Sequence, residues 1–284
     1  MNSDLLSLVI TLKTPQPVSL AYDQGRALAA EFLDWVSAID PALSIKLHSE
    51  QNLPRPFTVS NLSGLPRPKD GMVLIPKDRL IWFRITSIAP ELTAFIIERL
   101  IPSLPGEFCL SESRFEIVQA TLDPQKHFWA GHTSYQDLLE QYLLRGNSPK
   151  IKLHFASPTT FHTRGLHLPY ILPEKALGSW LACWNAWSAV TLPFDLLDEA
   201  DRRVAVSYYN MRTLPVRYGK ATLIGGVGQC TFLVVSSDPY WRHVVNALSA
   251  FAFYCGTGVK TALGLGQTRR MHAGKYRGLS QDGN

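Results

Sequence analysis

What most restricts the fold of this chain is an order of hydrophobic periods that occurs twice. Apolar residues at Leu5–Leu12 read as a buried strand, and from about Gln24 to Ile39 the spacing becomes helical, with Leu28, Phe32, Trp35 and Ile39 on one face. Asp40-Pro41 ends that helix, because a proline ring disfavours helical backbone in the residue before it. After a proline-rich loop come strands at Phe57–Asn61 and Leu80–Ile88, a helix opened by Pro90 that carries Leu92, Phe95, Ile96 and Leu100, and a strand near Phe115–Leu122. The order β-α-β-β-α-β is that of a ferredoxin-like unit.

The second half repeats it, with a strand at Ile151–Phe155, a helix near Glu174–Val190, strands within Val204–Met211 and Ala221–Val235, and a helix with strong end signals. Asp238 suits its N-cap, Pro239 its first position, Trp241, Val244, Val245 and Leu248 its apolar face, and Gly256 its end. The expected class is α+β, two tandem ferredoxin-like βαββαβ domains. The expected boundaries are 1–125 for the first domain, 126–149 for a linker in which Ser134 caps a short helix from Tyr135 to Leu144, and 150–284 for the second.

At 284 residues and 46% hydrophobic content the chain can bury such cores. No window approaches the ~20 apolar residues of a membrane helix, and Met1–Ile10 lacks the basic start of a signal peptide, so a cytoplasmic protein without a membrane partner is expected. Cys109, Cys183, Cys230 and Cys255 lie far apart, which favours reduced, mostly buried thiols over a zinc site or a disulfide framework.

Charge separates the halves. Residues 1–201 carry 17 Lys/Arg against 21 Asp/Glu, whereas residues 202–281 carry 11 Lys/Arg against the single acid Asp238. A basic excess confined to one part of a chain is the electrostatic footprint of a surface that meets polyanions. Within it, "SYYNMRTLPVRYGK" interleaves Tyr208, Tyr209 and Tyr218, which could stack unpaired bases, with Arg212, Arg217 and Lys220, which could take phosphates.

The stretch "FYCGTGVKTALGLGQTRR" holds two G-x-G pairs, Gly256/Gly258 and Gly264/Gly266. It is not a Walker loop, since Val259 precedes Lys260-Thr261, and it is not a dinucleotide fingerprint, since Thr261 and Arg269 stand where a third glycine is needed. Either type would also need its glycines between a strand and a following helix, whereas these follow a helix. Glycines that let backbone N–H groups approach an anion, with Lys260, Arg269 and Arg270 beside them, suit a long polyanion; the competing reading is a tight turn before a last strand.

These residues resemble the sixth family of CRISPR-associated proteins, the endoribonucleases that cut the repeats of CRISPR precursor transcripts. The resemblance rests on "GTGVKTALGLGQTR", on "LHSEQNLPRPFTVSNL" with a histidine ahead of a Phe-Thr-x-Ser strand, and on "FASPTTFHTRG" at the start of the second domain. It implies RNA cleavage without metal or other cofactor, in which the 2′-hydroxyl attacks the adjacent phosphate. The protein then has to deprotonate that hydroxyl, protonate the leaving 5′-oxygen and stabilise the phosphorane. The catalytic candidate it implies is His48, since an imidazole can serve as acid or base near neutral pH. Lys46 and Arg55 flank it. Some members carry a tyrosine in the first helix; here that position is Leu33, which leaves His48 to act with a cation or with Tyr22. Expected partners are precursor and processed repeat RNA, with effector-complex subunits or a homodimer left open. The alternative is a repeat- or guide-RNA-binding subunit without catalysis.

Overall fold

The computed structural model describes residues 3–49, 53–144, 148–218 and 221–271. Backbone contacts divide the chain into two units. The first runs to His132 and takes in Ala262–Gly264; the second is formed by Thr133–Thr261 and the residues from Leu265.

In the first unit the chain runs β1 (Leu5–Lys13), β2 (Val18–Ala21), α1 (Gly25–Ile39), α2 (Pro41–Ser49), β3 (Phe57–Val59), β4 (Met72–Ile75) and β5 (Ile81–Ser87), then α3 (Pro90–Phe95) with a π turn at Ile96–Leu100, then β6 (Glu107–Leu110), β7 (Ser113–Thr121) and β8 (Gly131–Thr133). The sheet order is β3-β5-β1-β7-β6, with β8 on β1 and β2 and β4 paired separately. Omitting the edge additions, the four strands read β3-β5-β1-β7, the antiparallel 4-1-3-2 arrangement of a ferredoxin-like unit.

The periodicity of α1 explains its place. Phe32 is fully buried with its ring 5.1 Å from Phe57, and Trp35 sits 5.3 Å from Phe108, edge to face. Such aromatic pairs add about 0.5–1.5 kcal/mol beyond the area they bury. The other sheet face is covered by residues 127–130: Trp129 lies 4.5 Å from the fully buried Arg84 guanidinium, and its carbonyl accepts from Ser7 Oγ at 2.5 Å.

The second unit runs α4 (Tyr135–Leu144), β9 (Lys150–Thr159), β10 (Phe161–Thr163), β11 (Leu166–Leu168), α5 (Pro173–Trp187), a 3-10 turn, α6 (Ala200–Arg203), β12 (Val204–Tyr218), β13 (Ala221–Val234), α7 (Pro239–Cys255) and β14 (Thr268–Arg270). Its sheet order, β12-β13-β9-β14, is again 4-1-3-2. Trp180 on α5 packs against Phe232, and Trp184 against Phe251 of α7 and Tyr135 of α4. As the sequence predicts, the Asp238 carboxylate caps α7, accepting from Tyr240 N at 2.9 Å, and Gly256 ends it with φ +71°.

The expectation of mostly buried thiols holds for Cys230 and Cys255 only; Cys109 is exposed. Its strand, β6, is the sheet edge and alternates exposed and buried residues, with Phe108 and Leu110 taking the inward positions. Burial pushes the Cys230 thiol up to about 12, which leaves it an inert apolar group.

Candidate active site and nucleic-acid interface

The first unit carries the catalytic candidates. Asp40 ends α1 and also starts a second helix, where the sequence pattern suggests loop: its carboxylate accepts from Leu43 N at 3.0 Å, and Pro41 occupies the first position of α2. That backbone bond and the Arg99 guanidinium at 2.8 Å hold the Asp40 carboxyl below its usual range. Along α2, Leu43 and Leu47 face inward, so Lys46 and His48 are left on the exposed side, with His48 in the last turn. The Arg55 guanidinium donates to the Leu47 carbonyl, which places a cation against the helix C-terminus one residue from His48. Lys46 Nζ lies 2.5 Å from Glu91 Oε2 in a solvent-exposed ion pair, so a phosphate would compete with that carboxylate for it.

Tyr22 is exposed and enters by its backbone. Its N–H donates to Gly71 O, its carbonyl accepts from Asn61 Nδ2 at 2.9 Å, and Asn61 Oδ1 accepts from Gln24 N at 2.7 Å. Asn61 therefore ties the approach to α1 to the end of β3, a role that the sequence pattern does not reveal. Leu33 is half-buried, and Phe32 and Trp35 are core residues, so no tyrosine hydroxyl comes from α1.

The glycine stretch is a closely bonded structure. In the second unit Thr257 N donates to Gly266 O, Gly258 N to Ser179 Oγ, Val259 N to Thr160 O and Gly266 N to Pro158 O, all at 2.9–3.0 Å. In the first unit Gly264 N donates to Val59 O at 2.9 Å, and Gly264 bridges Ser60. A Cβ on Gly258 would overlap the Thr160 carbonyl oxygen. These N–H groups are thus bonded within the protein, and close packing by itself calls for glycine at Gly258. Gly256 and Gly266 have positive φ and are buried as well.

The two arginines after the loop also turn inward. Arg269 is 8% exposed, and Arg270 donates to Asn246 Oδ1 and Asn246 O at 2.8 and 3.2 Å while lying 4.9 Å from the Tyr142 ring centre. Lys260 is half-buried, held at φ +59°. Strand register aligns Asn210, Gln229, His154 and Arg269 in one row across the sheet. Burial and the Arg269 charge push the His154 imidazole down to about 4, so it is neutral at physiological pH.

Two of the candidate cations, Arg212 and Arg217, are exposed on the long β12–β13 hairpin. Arg212 and Arg217 project from its outer strand, a sheet edge, and Tyr208 and Tyr209 are 50% and 45% exposed, so neither is a core residue. The Tyr209 hydroxyl accepts from Ile171 N at 3.1 Å. Lys220 lies outside the described residues.

A family model described as the Cas6 N-terminal domain matches residues 5–140, and one described as the CRISPR-associated endoribonuclease Cas6 matches residues 153–268. The chain belongs to the Cas6 family. No curated protein matches it by sequence. Among solved structures, the product complex of the Cas6 protein TTHA0078 is 25% identical over 94% of this chain and 99% of its own, with a TM-score of 0.76, and a histidine-to-alanine mutant of that protein has also been solved. The product complex of TTHB231, a Thermus thermophilus Cas6, is 24% identical, covers 95% of this chain and 100% of its own, and has a TM-score of 0.79. A Cas6-related protein from Pyrococcus furiosus shares the fold at 13% identity, TM-score 0.64, over 95% of this chain and 99% of its own. The Cas6 fold therefore spans both units. Among the described residues, no helix is long and apolar enough to cross a membrane.

Proposed function

We propose that this Cas6 protein binds CRISPR repeat RNA and cuts it without a metal ion. The observation that carries the reading is that the two Cas6 family models follow one another along the chain and between them take up both ferredoxin-like units. The RNA 2′-oxygen attacks its own phosphorus, the bond to the 5′-oxygen breaks, and the products are a 2′,3′-cyclic phosphate and a free 5′-hydroxyl. His48, exposed at the end of α2, takes or gives the proton. Arg55, fixed on the Leu47 carbonyl, and Lys46, once exchanged from Glu91, neutralise the phosphorane. Tyr22 is the remaining hydroxyl candidate, on the loop that Asn61 holds.

Repeat RNA is held by the second unit through Arg212, Arg217, Lys220 and Lys260, with Tyr208 and Tyr209 offering stacking surface. Gly256, Gly258, Gly264, Gly266, Arg269 and Arg270 shape the loop and strand that carry Lys260. This reading is supported by the exposure of the hairpin cations and by the charge separation along the chain.

The absence of a tyrosine in α1 favours, as a second reading, a Cas6 protein that holds repeat or guide RNA without cutting it. One experiment separates the two. Labelled repeat RNA is incubated with the protein in EDTA; a new 2′,3′-cyclic phosphate end supports the nuclease, and a gel shift with intact RNA supports the holder.

A further inference from the structure

The β10–β11 hairpin brings two histidines face to face. Its turn, Arg164-Gly165, has both residues at positive φ, +50° and +81°, the geometry of a tight two-residue hairpin. Register then sets His162 directly opposite His167, with ring centres 5.2 Å apart and planes inclined at 57°. His162 is exposed and His167 half-buried. The hairpin base is anchored: Phe161 is 4% exposed, Thr160 Oγ1 donates to Leu168 O at 3.2 Å, and Thr160 O accepts from Val259 N at 3.0 Å.

We propose that His162 and His167 form a chelating site for a borderline divalent transition-metal ion such as Zn²⁺, Ni²⁺ or Cu²⁺. Imidazole nitrogen sits ~2.0–2.1 Å from zinc and about 1.1 Å from its own ring centre, so two rings sharing one tetrahedral ion have centres roughly 5 Å apart. The observed separation is 5.2 Å. His167 Nδ1 is buried and has no hydrogen-bond partner among the described residues, a state that costs about 1–3 kcal/mol and that coordination through this nitrogen would relieve. Two opposed imidazoles repel each other when both are protonated, whereas their neutral forms offer two lone pairs to an ion that favours nitrogen; Mg²⁺ and Ca²⁺ favour oxygen.

Among the described residues, no group of three or more His, Cys, Asp or Glu side chains could hold a metal. The ion therefore keeps water at its other positions and takes no part in the cutting reaction. Its effect is to clamp the two strands of a hairpin whose base is bonded to the glycine loop. The proposal stands independently of the nuclease reading.

The test titrates Zn²⁺ into metal-stripped full-length protein by calorimetry, alongside His162→Ala, His167→Gln and a control, His132→Ala. One zinc equivalent is expected, weakened about tenfold or more by either hairpin variant, because each removes half of a chelate, and unchanged in the control. Zn²⁺ should also protect His162 and His167 of the unsubstituted protein from diethylpyrocarbonate, a readout that does not depend on how the variants fold. Zinc affinity indifferent to both hairpin variants, or labelling of the two histidines unaltered by zinc, overturns the site.

Discussion

Gly25 and Gly264 meet backbone to backbone: a Cβ on Gly264 would lie 3.1 Å from the Gly25 Cα, and one on Gly25 would lie 2.7 Å from the Gly264 Cα. Gly264 also has φ +98°, a region L side chains rarely adopt. Gly264→Val is therefore expected to destabilise the first unit by about 2 kcal/mol or more through strain and overlap together. Gly106→Ala, where nothing lies within 4 Å, should stay within about 0.5 kcal/mol. Melting temperature measures both. If Gly264→Val melts like the unsubstituted protein, close packing is not why the glycine is there.

His48 stands exposed in the last turn of α2, where its removal leaves no cavity. His48→Ala should lower single-turnover cleavage of repeat RNA by about 10²–10⁴-fold while affinity and melting temperature stay unchanged. Lys46→Ala should slow cleavage by about tenfold to a hundredfold and barely move the melting temperature, because its partner Glu91 is an exposed carboxylate. A His48→Ala protein that cuts at the normal rate would move the chemistry elsewhere.

Elements with a long period are readable from the sequence, and those made by one residue serving two purposes are not. Strands β1, β3, β5 and β7 of the first sheet, β9 and β13 of the second, and helices α1, α5 and α7 follow apolar runs or spacing because each has a buried face. Helix α2 escapes because Pro41, which ends one helix, also opens the next, and only Leu43 and Leu47 mark its inner side while Ile45 is 67% exposed. The β10–β11 hairpin turns on Arg-Gly, a weaker signal than Asn-Gly, across strands of three residues. Around the site, His48, Lys46 and Arg55 are neighbours in sequence, but the bond between Asn61 and the Tyr22 carbonyl joins residues far apart, and no local pattern announces it. The inward turn of Arg269 and Arg270 is likewise hidden, since a three-residue strand has no period from which to read a face.

Arg212 and Arg217 lie on the exposed outer strand of the β12–β13 hairpin, where each can meet one phosphate. Replacing either with Ala should weaken repeat-RNA binding and lower the slope of log affinity against log salt by about 0.7–0.9 for each phosphate no longer neutralised. Binding measured between low and physiological salt checks this. An unchanged slope in the double variant would remove the hairpin from the interface.

His154 makes stability depend on pH in a window its environment defines. Burial first, and the Arg269 charge second, push its imidazole down to about 4, whereas in the unfolded chain it titrates near 6.5. Between these values the unfolded state binds the extra proton. The contribution of His154 is thus fully present above about pH 6.5 and is lost as pH falls towards 4, where the loss amounts to about 2–3 kcal/mol. A His154→Gln protein cannot take up that proton, so its stability should fall less steeply from pH 7 to pH 4 than that of the unsubstituted chain. Denaturant titrations at a series of pH values measure the two slopes; parallel curves would mean that His154 titrates alike in the folded and unfolded chains.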